Sequence, residues 1–151
     1  MDTKKYMKAI DIAIAQLKID EGCRLTAYPD PLTGGKPWTI GYGHTGGIHP
    51  GDKWTQQQAN EFLYLDTLIA AREASSLPVG FDSLNAVRQA VLINMTFNLG
   101  LSKMLGFKRT LLAIAMGDYN NAALYMLQSA WAGQVGQRAV RLAKQMKSGT
   151  L

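Results

Sequence analysis

From residue 22 to residue 53 this chain cannot form ordinary helix. Eight of its fifteen glycines and four of its five prolines fall there. Glycine weakens a helix interior through its entropy, and proline through its missing N–H. Only Arg24 to Tyr28 and Trp38 to Tyr42 read as extended, so the segment is expected to be a small, turn-rich sheet. The flanks differ. Before it, Tyr6, Ile10, Ala13, Ile14 and Leu17 recur at helical spacing and predict a helix over 3–21. After it, Thr55 with Gln58 three residues on forms a capping-box pattern, opening a helix through Phe62, Leu65, Leu68 and Ile69 to about Ser75. Leu77-Pro78-Val79-Gly80 stops it.

Helix dominates the remainder. Leu84, Val87, Val91 and Met95 mark a buried helix face ending near Gly100, and Thr110 to Met116 stops at Gly117. Asp118 can cap a helix through about Ala130, and Gly136 precedes a last helix reaching Lys147. No internal repeat or linker interrupts the 151 residues, and 47% apolar content suffices for a core. The expectation is a single α+β domain, mostly α. A small N-terminal sheet lobe covers about 22–54. A larger helical C-terminal lobe is made from about 76–151 plus the helix 3–21, and the helix 55–75 connects the two across a cleft.

Composition removes several function classes. The longest unbroken apolar run, Leu111 to Met116, is far short of the ~20 residues a membrane span needs, so a soluble chain is expected. The basic opening Met1-Asp2-Thr3-Lys4-Lys5 is followed by Asp11, Gln16, Lys18 and Asp20, which leaves no apolar signal core. The single cysteine, Cys23, cannot form an internal disulfide and is expected to be a small buried apolar side chain. The net charge of +5 is uneven: from residue 101 onward seven Lys and Arg face only Asp118. Such a face favours a nucleic acid, an anionic membrane surface or an acidic cell wall, although a merely solvated basic surface fits charge alone equally well.

Glu21 and Asp30 are the carboxylates with chemical promise. Glycosidic cleavage needs an acid to protonate the leaving oxygen and a second group to handle water or the cationic sugar. Glu21 closes a helix, where the negative end of the dipole disfavours a further negative charge. Asp30, between Pro29 and Pro31, reads equally well as a turn residue. Gly41-Tyr42-Gly43-His44-Thr45-Gly46 fits the dinucleotide pattern G-x-G-x-x-G, but Gly47, Pro50 and Gly51 follow where a helix must open, so no cofactor is expected. His44 and His49, the only histidines, have no metal-site spacing, and no metal is expected. There is no G-x-S-x-G and no histidine signature beside Cys23. Trp38, Trp54, Trp131, Tyr42, Phe97 and Tyr125 could stack on sugar rings, yet aromatics are more often core.

Taken together, Glu21-Gly22-Cys23-Arg24-Leu25, Tyr28, Asp30 and Thr39-Ile40-Gly41-Tyr42-Gly43-His44 resemble the phage-type lysozymes, the muramidase endolysins of glycoside hydrolase family 24. Phe81 to Arg88, Asn94 to Gly100, Ala122-Ala123, Trp131, Arg138-Ala139 and Ser148-Gly149-Thr150 are similar to the helical lobe of the T-even branch in the same order. The resemblance implies a lysozyme-like fold. It also implies catalysis by Glu21 as general acid, with Asp30 stabilising positive charge on the sugar and, with Thr39, holding or activating water. The implied bond is the β-1,4 linkage between N-acetylmuramic acid and N-acetylglucosamine, cut with inversion. By the same resemblance His44 pairs with Asp66 as a structural tie, Arg138 reaches towards Glu21, and Thr45, Phe97 and Thr110 line the saccharide groove, whereas Tyr125 replaces a polar groove residue. One departure stands out. Relatives of this branch commonly put about five residues between the aspartate and the threonine, and this chain puts eight. An outward bulge would leave Thr39 in place, while a one-residue slip would turn its hydroxyl to the other face. The glycines favour the bulge.

The expected partner is bacterial peptidoglycan, with electrostatic contact to the anionic envelope, no nucleic acid and a monomeric chain. The expected location is the host cytoplasm until a separate pore-forming protein releases the enzyme to the wall. Two other readings remain open at this point: a lytic transglycosylase on the same fold, and a non-catalytic cationic module that binds wall or membrane through the last third of the chain.

Overall fold

The computed structural model describes residues 2–151. Its mostly helical α+β architecture matches the expected fold class. After a 3₁₀ turn at Thr3–Tyr6, α1 spans Met7–Glu21 and buries Ala9, Ile10, Ala13 and Leu17. Gly22, at φ 64, ends it, a conformation that costs glycine nothing, so Glu21 is the last helical residue. β1 (Arg24–Tyr28) and β2 (Thr39–Gly41) pair antiparallel, with Arg24 opposite Gly41 and Tyr28 opposite Thr39. Between those two pairs β1 uses two more residues than β2, so the irregularity lies on β1. The backbone of 52–54 closes its other edge through Ala27 N–H to Asp52 O and Trp54 N–H to Leu25 O, both 2.9 Å.

α2 spans Gln56–Ser75 and opens with the expected capping box between Thr55 and Gln58. Its buried face is narrower than the apolar run suggested. Leu65 and Ile69 are half exposed, and the packing is made by Leu63 together with Ala59, Ala70, Ala71 and Ala74, whose small side chains let neighbouring elements approach closely. α3 (Ala86–Leu99) is the centre of the molecule: eight consecutive residues from Gln89 to Thr96 are buried. A helix buried all round sits inside a bundle rather than on its surface. Burying each of Leu92, Ile93 and Met95 is worth about 1.5–3 kcal/mol. The polar members are satisfied locally, Gln89 by the Phe81 carbonyl and Thr96 by the Leu92 carbonyl.

The rest of the bundle is α4 (Leu101–Leu105), α5 (Lys108–Ala115), α6 (Tyr119–Gln128), α7 (Ala130–Val135) and α8 (Gln137–Ser148). Asp118 caps α6 and Gly136 precedes α8, as the sequence predicts. The short helices α4 and α7 are additions to that reading. α7 is separated from α6 by Ser129, which is extended (φ −76°, ψ 156°) and whose hydroxyl accepts from Ala132 N–H at 3.3 Å. Cys23 corrects an expectation: it is exposed, lying between the helix-ending Gly22 and the first residue of β1. Among the described residues no helix is long and apolar enough to cross a membrane.

Candidate active site

Glu21 owes its position to two glycines. Gly22 turns the chain away immediately after it, and Gly43, at φ +76, lies so close that a Cβ there would sit 3.2 Å from Glu21 Oε2. Any larger residue at 43 would need a strained backbone and would press on the carboxyl. The Gly41-to-His44 turn, closed by reciprocal backbone bonds between Ile40 and His44 at 2.9 and 3.0 Å, thus brings the sheet against the end of α1.

On its other side Glu21 meets α8. Arg138 Nη1 donates to Glu21 Oε1 at 2.9 Å, with side chains 10% and 20% exposed. The Arg138 Nε–H donates to Asn94 Oδ1 at 2.9 Å and lies 3.5 Å from Asp20 Oδ2. Asn94 in turn donates to Asp20 Oδ2 at 3.0 Å. Arg141 grips Asp20 with both ends of its guanidinium, at 2.8 and 2.6 Å, and donates to Gln16 at 3.2 Å. One donor, Arg138 Nη2, is buried and has no partner among the described residues. The sequence reading anticipated Arg138 beside Glu21 but missed Asp20, Asn94 and Arg141. The signal was available in part: Arg138 and Arg141 are three apart on one helix, hence on one face, opposite two adjacent carboxylates.

Burial alone would raise the Asp20 carboxyl. Hydrogen bonds from Arg141 and Asn94 and the charges of Arg138 and Arg141 outweigh it and hold the group below the ordinary carboxylate range. A carboxylate lowered on folding adds stability that is complete above its unfolded value, about 3.9, and is lost as pH falls through the folded value beneath it. Thermal melts between about pH 2 and pH 6 should therefore show an acid limb, and Asp20→Asn should make that limb shallower. An unchanged slope in the variant would mean that other carboxylates govern acid unfolding.

Asp30 and Thr39 lie in the hairpin. Asp30 N–H donates to Gly35 O at 2.9 Å and Gly34 N–H donates to Asp30 O at 2.8 Å, while Thr33 Oγ1 donates to Lys36 O at 2.9 Å. Residues 30–36 thus close on themselves in a loop, and Thr39 pairs with Tyr28 next to the irregularity on β1. Ile40 is fully buried, so alternation puts Thr39 on the opposite face of the strand. Its hydroxyl lies 3.5 Å from the Pro37 carbonyl, the outer limit of a hydrogen bond. Among the described residues the Asp30 carboxylate has no hydrogen-bond partner, and none links Asp30 or Thr39 to Glu21.

His44 Nδ1 and Asp66 Oδ2 are 2.7 Å apart, which fixes the segment after β2 to α2, and the imidazole packs against the rings of Trp54 and Phe62. His44 and Asp66 share a cavity of about 230 Å³ with Gly43, Thr45 and Phe97. Thr110 stands apart. It is buried and lines a second cavity, of about 540 Å³, together with Tyr125. Neither cavity is lined by Glu21, Asp30 or Thr39. The nine expected site residues therefore fall into four groups: the Glu21–Arg138 pair, the hairpin residues Asp30 and Thr39, the pocket around the His44–Asp66 pair, and Thr110.

The family model of phage lysozyme matches residues 18–147, a span that contains all nine of these positions. The chain belongs to the phage lysozyme family. An endolysin of Acyrthosiphon pisum secondary endosymbiont phage 1 is 32% identical over 124 residues, covering 81% of this chain and 80% of that protein. A probable T4-type lysozyme of Dictyostelium discoideum is 29% identical over 100 residues, covering 64% of this chain and 59% of that one. A 60-residue stretch is 43% identical to an endolysin of Lactococcus phage c2 and accounts for 40% of this chain but only 26% of the phage protein. The family match begins at Lys18, inside the last turn of α1, so it takes in the whole Asp20–Glu21–Arg138–Arg141 arrangement.

Proposed function

We propose that this chain is a peptidoglycan hydrolase, a phage endolysin that cuts the β-1,4 bond between N-acetylmuramic acid and N-acetylglucosamine, with Glu21 as its general acid. The observation that carries the proposal is the asymmetric setting of the Glu21 carboxyl. Arg138 holds Oε1 at 2.9 Å, while Oε2 lies beside Gly43, which brings no side chain against it. In the proposed step Glu21 gives its proton to the leaving glycosidic oxygen as the C1–O bond breaks. The Asp30 carboxylate, free of partners among the described residues, faces the positive charge that develops on the ring. Water held by the weakly engaged Thr39 hydroxyl adds to C1 and passes its proton to Asp30, giving inversion.

In this reading the sheet region and the helical region form the two walls of the substrate groove, Thr45, Phe97 and Thr110 contact saccharide, and the His44–Asp66 pair keeps the sheet wall in place. Arg138 acts through Glu21 and is a positioning residue. The enzyme would wait in the host cytoplasm for a separate pore-forming protein, and its basic last third would hold the anionic wall.

The test is mass spectrometry of the products released from purified cell walls. Fragments ending in a reducing N-acetylmuramic acid are the expected result. A 1,6-anhydromuramic end would replace hydrolysis by transglycosylation, and no released fragment would remove the enzymatic reading.

A further inference from the structure

The cavity of about 230 Å³ lies where the sheet region, α2 and the end of α3 meet, with Gly43 and Thr45 from the first, Asp66 and Glu73 from the second and Phe97 from the third. It adjoins the candidate acid: a Cβ on Gly43 would lie 3.2 Å from Glu21 Oε2. Asp66 and Glu73 are seven residues apart, so they stand on one side of α2, separated by about 10 Å along its axis. Their carboxylates differ in what holds them. Asp66 is engaged by His44 at 2.7 Å, a pair without net positive charge in either protonation state of the ring. Glu73 is half-buried, and its carboxylate has no hydrogen-bond or ion-pair partner among the described residues. No Lys or Arg lines the cavity, and the Thr96 hydroxyl within it already donates to the Leu92 carbonyl at 2.7 Å. In a chain of net charge +5, this hollow therefore presents one uncompensated anion to whatever fills it.

We propose that Glu73 is a specificity-determining residue that gives this cavity a preference for a free ammonium group, the amine of an N-deacetylated amino sugar in the glycan. The assignment rests on the glycan-cleaving reading and deepens it by naming a substrate class. A sugar that fills the cavity strips water from the Glu73 carboxylate, and what it returns depends on its nitrogen. An acetamide returns one neutral N–H, whereas an ammonium returns up to three donors and a charge-assisted bond, roughly twice as strong as a neutral one. The source of the ammonium follows from the walls. A ring packed on Phe97 beside Gly43 carries its amine at a fixed place, while the amine of a lysine side chain must give up several rotamers to reach the same point.

The experiment is a backbone-amide NMR titration of the intact protein, in slightly acidic buffer that keeps sugar amines protonated, with the β-1,4 tetramer of glucosamine set against the tetramer of N-acetylglucosamine. Saturable shifts at Thr45, Glu73 and Phe97 are expected, with the glucosamine tetramer binding about tenfold more tightly. Glu73→Gln keeps an oxygen acceptor and removes the charge, so it should erase that preference while the N-acetylated tetramer binds within about twofold of its parent value. Absence of saturable shifts at these amides, equal or tighter binding of the N-acetylated tetramer, or a preference that survives in Glu73→Gln overturns the proposal. Tighter binding of the peptide Ala-Lys-Ala than of the glucosamine tetramer at the same amides overturns it as well. Because binding is read without turnover, failure of this preference and failure of glycan cleavage are separately visible.

Discussion

Glu21→Gln is expected to lower the clearing of cell-wall suspensions by about 10²–10⁴-fold, the usual contribution of a positioned acid or base. That corresponds to about 3–5.5 kcal/mol of lost transition-state stabilisation. The substitution keeps the shape of the side chain and an oxygen that can still accept from Arg138 Nη1, but it removes the transferable proton. The cost to folding is small for a definable reason. Arg138 retains Asn94 at 2.9 Å and the Asp20 carboxylate at 3.5 Å, so its charge is not left without a counterion. The lost attraction is also offset by the relief of desolvating a carboxylate that is only 20% exposed. A calorimetric melt should therefore lie within a few degrees of the parent's while activity collapses. Undiminished clearing in a folded Glu21→Gln protein would overturn the assignment. If that residual killing also followed salt and net charge, the cationic-module reading would replace it.

The features legible in the sequence are those written in local chemistry. The capping box at Thr55, the stop at Gly22 and the glycine-rich block over 22–53 each specify backbone conformation within a few residues, and each is found where the pattern puts it. The short helices α4 and α7 left no comparable trace, since five or six residues show no period and their existence depends on the core they complete. Cys23 was misjudged because residue type predicts average burial, whereas this cysteine lies exposed between a helix-ending glycine and β1. At the candidate site, the His44–Asp66 and Glu21–Arg138 contacts were anticipated through family resemblance and are present at 2.7 and 2.9 Å. The spacing of 22 and 117 residues between those partners could not have revealed either one. Asn94 was harder still: it looks like one polar residue in a buried helix, and only the tertiary fold shows that it connects Arg138 to Asp20.

Arg138→Met is expected to be the most damaging change to stability at this site, because it removes one guanidinium from buried Asn94 and from the partly buried Asp20 and Glu21. Breaking a buried ion pair on one side typically costs about 3–5 kcal/mol, since the surviving charge stays desolvated. Two observations place this variant near the lower end. Arg141 still holds both oxygens of Asp20, at 2.8 and 2.6 Å, so that carboxylate is not orphaned. The substitution also eliminates Nη2, a buried donor without a partner among the described residues, whose removal recovers part of a desolvation penalty of about 1–3 kcal/mol. What remains uncompensated is the Oδ1 of fully buried Asn94 and the Glu21 carboxylate. A loss of about 3 kcal/mol follows, a lowering of Tm by roughly 6–12 °C for a chain of this size. Arg138→Lys separates charge from geometry. One ammonium can neutralise Glu21, but it cannot present the planar fork that reaches Asn94 and Glu21 together, so it should recover part of the stability and little of the activity. Melts and initial rates on cell walls for both variants check this directly. Full activity in Arg138→Lys would show that only the charge matters, and a Tm within about 2 °C of the parent for Arg138→Met would show that the network contributes little to the fold.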